Sequence, residues 1–87
     1  MSIWAVALTS KARKELNRLE SEHQLLISGA LELLARHPYP PKARKVAGRE
    51  AWRIRVGDYR IVYTVQEKEI VIVVIRIGHR RDVYRTK

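Results

Sequence analysis

The stretch Ala51-Trp52-Arg53-Ile54-Arg55-Val56-Gly57-Asp58-Tyr59-Arg60-Ile61-Val62-Tyr63 reads as a β-hairpin with two chemically distinct faces. Side chains alternate along Ala51–Val56, so Trp52, Ile54 and Val56 point one way and Arg53 and Arg55 the other. Gly57-Asp58 fits a two-residue hairpin loop, with glycine supplying the positive φ that such loops need. A loop of that length sets Val56 against Tyr59 and Arg55 against Arg60. Two cations directly opposite each other on one sheet face repel and destabilise the pair. A fold gains nothing from that arrangement, whereas a site for a polyanion does.

Downstream, Gln66-Glu67-Lys68-Glu69 reads as a short loop, and Ile70–Ile77 as a third strand that is apolar except for Arg76. Running antiparallel, this strand returns its C-terminal end to the Gly57-Asp58 turn. It thereby brings His79, Arg80, Arg81 and Tyr84 beside Arg55 and Arg60. The faces of this strand depend on loop length, because a slip of one residue exchanges them.

Upstream, Ser2–Leu8 reads as a strand with Trp4, Val6 and Leu8 on one face and Ile3, Ala5 and Ala7 on the other. Thr9 or Ser10 serves as N-cap to a helix whose apolar stripe is Ala12, Leu16 and Leu19, with Lys11, Lys14 and Arg18 on another side. A second helix spans Glu22 to Arg36, its expected buried stripe being Leu26, Ala30, Leu33 and Leu34. Pro38, Pro40 and Pro41 stop it. His37–Glu50 is a basic loop carrying Lys42, Arg44, Lys45 and Arg49. The order β-α-α-β-β-β predicts an α+β domain over residues 1–87, two helices packed on one face of a small, mainly antiparallel sheet. Trp4, Trp52 and Tyr63 are expected in the core, and His23 and His37 on the surface.

Composition narrows the function. Eighty-seven residues make a single domain, and 46% hydrophobic content is enough for one core. With no cysteine there is neither a disulfide framework nor a thiolate metal site. The scattered carboxylates suggest no metal and no cofactor. The longest apolar run is too short to span a bilayer, and no secretory pattern opens the chain, so a cytoplasmic protein is expected. Lys and Arg number 18 against 9 Asp and Glu, a net charge of +9 that favours an anionic partner. Of nucleic acid, a membrane surface and an acidic protein, nucleic acid is favoured, since the helices lack the aromatic anchors of a membrane-surface helix.

The segments Trp52–Tyr63 and Gly78-His79-Arg80-Arg81-Asp82-Val83-Tyr84, with the Lys45-Val46-Ala47-Gly48 approach, resemble the RelE branch of the RelE/ParE toxin superfamily. The resemblance implies a ribosome-dependent endoribonuclease that cuts mRNA in the decoding site and is held inactive by an acidic, RelB-like antitoxin, with a toxin–antitoxin hetero-oligomer as the resting form. Mapped onto this chain, it implicates Arg53, Arg55, Arg60, Arg80 and Tyr84. The family often has lysine at the Arg53 and Arg55 positions. Guanidiniums suit clamping a phosphate and stabilising a phosphorane. Arg60 is the expected clamp, with Arg55 beside it, and Tyr84 has a ring for stacking on a base. His79 is the expected proton acceptor, and Arg80 or His79 the expected proton donor. Lys11, Lys14, Arg18, Lys42, Arg44, Lys45 and Arg81 are the expected contacts to RNA on the 70S ribosome. Two other readings are a ParE-like inhibitor of DNA gyrase with the same fold and a basic nucleic-acid-binding module without catalysis.

Overall fold

Thr9 joins the first strand, the first helix and the centre of the sheet. Its backbone N–H donates to the Val74 carbonyl (3.0 Å) and its hydroxyl to the Ile75 carbonyl (3.3 Å). The same Oγ1 accepts from the Ala12 N–H (3.1 Å), which satisfies one of the free donors of the helix that starts at Ser10. The structure is a computed structural model, and it describes residues 3–79. In chain order the elements are β1 (Ala5–Leu8), α1 (Ser10–Asn17), α2 (Ser21–Arg36), β2 (Arg44–Lys45), β3 (Trp52–Val56), β4 (Tyr59–Gln66) and β5 (Val71–His79). Two helices therefore pack on a five-stranded sheet of order β1-β5-β4-β3-β2, in which only the β1–β5 pair is parallel. The two-residue β2 inside the basic loop is not expected from the sequence.

Gln24 closes the helical hairpin, because its amide donates to the Leu19 carbonyl (2.8 Å) at the end of α1. At the other end of α2 the Trp4 N–H donates to the Ala35 carbonyl (2.8 Å). These two ties set the rotation of α2. They bury Ile27, Leu31, Leu34 and Ala35, a stripe at helical spacing, and only Leu34 of the expected stripe is fully buried. Ala30 is half-buried, while Leu26 and Leu33 are 47% and 64% exposed. Residues 25–35 contain enough apolar side chains to supply two adjacent stripes, and periodicity alone does not choose between them.

Tyr63, Ile61, Ile72, Val74 and Ile77 form the sheet side of the core, against Ala12, Ile27 and Leu34. The Tyr63 hydroxyl donates to the Pro38 carbonyl (2.8 Å), so the largest buried side chain keeps its polar atom bonded. Trp4 and Trp52 pack on the rim of this core rather than inside it.

The β3–β4 register is the expected one, with Arg55 opposite Arg60 and Val56 opposite Tyr59. The β4–β5 ladder is not regular. Gln66 pairs with Val71, so the turn is Glu67–Ile70, one residue later than the sequence suggests, with Ile70 at φ 56°. The register then shifts between Val62 and Tyr63: Tyr63 faces Val74, but Val62 faces Arg76, leaving Ile75 as an extra residue on β5. A ladder continued without that bulge would set Arg76 opposite Ile61 on the helix side. With it, Ile77 enters the core and Arg76 reaches the opposite face.

Beyond Leu8, where β1 ends, α1 covers the free edge of β5. The Glu15 carboxylate accepts from the Ile77 N–H (2.7 Å) and from Arg76 Nε (2.9 Å). The Glu15 and Arg76 side chains are each only 17% exposed. Hydrogen bonds to charged groups of this kind contribute about 1.5–3 kcal/mol. Glu15→Ala should therefore lower the free energy of unfolding by about 2 kcal/mol in urea melts, and Glu32→Ala on the exposed side of α2 should leave it unchanged.

Candidate nucleic-acid interface

The alternation that packs Trp52, Ile54 and Val56, half-buried, against the core turns the arginines to the other face of the sheet. Two rows of side chains cross this face. In the first, Arg44 of β2 pairs with Arg53 of β3, Arg53 with Val62 of β4, and Val62 with Arg76 of β5. In the second, Arg55 pairs with Arg60, and Arg60 with Gly78, which adds no side chain. Lys42 precedes β2 by two residues and joins the same surface. A cleft of about 650 Å³ opens here, lined by Lys42, Arg44, Arg53, Arg55, Gly57, Asp58 and Arg60. Among the described residues, five cations thus share the cleft with one carboxylate, Asp58. The guanidinium of Arg44 is steered by the Pro41 and Ala43 carbonyls, to which it donates at 2.8 and 3.0 Å.

Such a surface is suited to phosphates. Guanidinium forks bind two oxygens at once and stay charged at any physiological pH. Held in a row, they match the spaced charges of a nucleic-acid backbone better than a single small anion.

The expected site residues divide into four groups. Arg53, Arg55 and Arg60 come together with Lys42 and Arg44 in the cleft. Lys45 does not join them: it pairs with Trp52 on the helix side, its Nζ 5.7 Å from the indole centroid and 3.5 Å from Glu50. Lys11, Lys14 and Arg18 lie on or just after α1, which packs on β5, away from the cleft edge of the sheet. Arg80, Arg81 and Tyr84 lie outside the described residues.

His79 corrects the sequence reading. It pairs with Tyr59, and their rings meet edge-on at 5.9 Å on the helix-bearing face, whereas Arg60 on the other face meets Gly78. The bulge at Ile75 is the cause, since a regular ladder would have placed odd-numbered β5 residues on the arginine face. His23, expected on the surface, is half-buried, and its Nδ1 lies 3.2 Å from the Tyr59 hydroxyl. Two features of the arginine face are missing from the expected site. Arg76 stands out in the sequence as the one charge in an apolar strand, and Asp58 reads there only as a turn residue.

The far end of the sheet has the opposite character. A second cleft, of about 590 Å³, is lined by Glu50, Glu67 and Glu69 together with Tyr39, Trp52 and Lys68, among others. There the Tyr39 hydroxyl donates to Glu67 (2.7 Å), and this bond, with burial and the nearby charge, pushes the phenol pKa up to about 12.

Residues 6–84 match the family described as ParE toxin of type II toxin–antitoxin system, parDE. The chain belongs to this family. Within the wider RelE/ParE superfamily it is 29% identical over 89 residues to Toxin RelG of Mycobacterium tuberculosis, covering 94% of this chain and 97% of that protein. Its fold matches the isolated E. coli RelE toxin with a TM-score of 0.78 at 20% identity, over 97% of this chain and 99% of that one. The archaeal RelE of the RelE–RelB complex from Pyrococcus horikoshii superposes with a TM-score of 0.76 at 26% identity, over 92% and 97% of the two chains.

If Arg55 and Arg60 oppose each other only to serve a ligand, the toxin without its ligand is less stable for it. Like charges directly opposite on a sheet cost roughly 0.2–1 kcal/mol. Arg55→Ala should raise the melting temperature at low salt, and the gain should shrink as added salt screens the pair. A drop in melting temperature at low salt would show that Arg55 holds the fold together instead.

Proposed function

We propose that this toxin is a ribosome-dependent endoribonuclease that cuts mRNA in the ribosomal A site and so stops translation. The observation that carries the reading is the cleft in which Arg53, Arg55 and Arg60 converge with Lys42 and Arg44. Cleavage by the RNA's own 2′-hydroxyl needs three things: deprotonation of that hydroxyl, stabilisation of a pentacoordinate phosphorane, and protonation of the departing 5′-oxygen. Fixed guanidiniums meet the second need, because they oppose the charge that develops in the transition state without having to reorganise. Arg60 clamps the scissile phosphate in this account, with Arg55 across the strand pair sharing its charge. Arg53, Arg44 and Lys42 hold the flanking backbone. Arg80 and Tyr84, implied by the resemblance to RelE toxins, complete the proposed site, with Tyr84 stacking on a base.

The proposed partner is an acidic antitoxin, as befits a +9 toxin. The Pyrococcus horikoshii relative was solved as a RelE–RelB complex. An antitoxin segment that is both acidic and amphipathic would meet the basic cleft and also cover α2, where Leu25, Leu26 and Leu33 stand exposed. Action on ribosomes would put the protein in the cytoplasm, and among the described residues no helix is long and apolar enough to cross a membrane.

The ParE description of the matching family favours a second reading, inhibition of DNA gyrase by the same fold. Primer extension on actively translated mRNA separates the two. The nuclease reading expects new 3′ ends at A-site codons, and it expects Arg60→Ala to slow their formation on the order of 10²-fold or more while ribosome association persists. Loss of gyrase supercoiling with intact mRNA would contradict it.

A further inference from the structure

Phosphate clamps do not deprotonate a 2′-hydroxyl, and the cleft needs a group that does. Among the described residues that line it, five are Lys42, Arg44, Arg53, Arg55 and Arg60, and Gly57 has no side chain. Arginine is a poor base, because its guanidinium keeps its proton far above neutral pH. His79, the residue type best suited to the task, lies against Tyr59 on the helix face. Asp58 remains. Its carboxylate lines the cleft and, despite five neighbouring cations, forms no ion pair or hydrogen bond with a described residue. It follows Gly57, whose φ of 59° turns the chain, so Asp58 stands at the end of the hairpin, one cross-strand pair beyond the opposed Arg55 and Arg60. One hairpin end therefore carries both the clamp and a proton acceptor.

We infer that Asp58 is the general base of this cleft, an inference that rests on the nuclease reading above. The Asp58 carboxylate takes the proton of the 2′-hydroxyl as O2′ forms its bond to phosphorus. The P–O5′ bond breaks with its electron pair on O5′, which takes a proton from water. The hydroxide left by that water removes the proton from Asp58. The products are a 2′,3′-cyclic phosphate and a 5′-hydroxyl, with no net change in the protein. The guanidiniums of Arg55 and Arg60 balance the phosphorane charge throughout. Aspartate is also a common turn residue, and asparagine shares that preference. Asp58→Asn accordingly keeps the hairpin and removes only the base.

The test is single-turnover cleavage on mRNA-programmed ribosomes, with wild type, Asp58→Asn, Asp58→Glu and His79→Ala compared. Loss of a general base lowers rates by about 10²–10⁴-fold. Asp58→Asn should show that loss with unchanged melting temperature and unchanged ribosome association. Asp58→Glu should recover part of the lost rate. Wild-type cleavage with Asp58→Asn within a few-fold of it would overturn the assignment and leave the nuclease reading standing. The assignment falls equally if His79→Ala alone shows that loss of rate. A wild-type toxin that yields no new 3′ ends defeats both.

Discussion

The central hairpin and the arginine face depend on the two-residue turn at Gly57-Asp58. It pairs Val56 with Tyr59 and Arg55 with Arg60, and by strict alternation it commits Trp52, Ile54, Ile61 and Tyr63 to the helix face. A register slipped by one residue would bury arginines under α2 and expose the aromatic core. Burial of that apolar face stabilises the sheet by far more than the repulsion between two exposed arginines costs. The core can therefore hold an arrangement of charges that would not form for its own sake.

A second constraint acts on β5. Its residues Val71–Ile75 are uniformly apolar, so no polar marker shows where the ladder changes step. The chain places an extra residue at Ile75, and the single change explains three observations together. Ile77 joins the core, Arg76 meets Glu15 at the sheet edge, and His79 turns away from the arginines. The covered edge matters as well: where β1 ends, Glu15 of α1 takes the place of a strand in accepting the Ile77 N–H.

The turn and the bulge separate what can be read from residues alone from what cannot. Period-two alternation and a glycine-led turn are local signals, and they specify the central hairpin and its opposed arginines without reference to the rest of the fold, whereas the helix cap is legible only as Thr9 or Ser10. The rotation of α2 is not local. Leu25, Leu26 and Leu33 are as apolar as Ile27, Leu31 and Leu34, and tertiary contacts, among them those of Gln24 and Ala35, choose between them. The placement of His79 fails for the same reason, since it depends on a bulge several residues upstream in an apolar run. Charge alone assigns Lys45 to the site, yet its neighbour across the strands is Trp52. Asp58 is plain in the sequence, but turn chemistry accounts for it fully until the cleft shows what surrounds it.

If the arginine face of the sheet exists to hold a nucleic-acid backbone, its guanidiniums must meet phosphates directly. Side-chain NMR of arginine-labelled toxin, titrated with a short single-stranded RNA whose 2′-hydroxyls are replaced by hydrogen to prevent cleavage, measures this. Perturbations should concentrate at Arg44, Arg53, Arg55 and Arg60, and they should weaken steeply as salt displaces the phosphates. Perturbations confined to Arg13 and Arg18 at α1, with the cleft arginines silent, would show that the face serves another purpose.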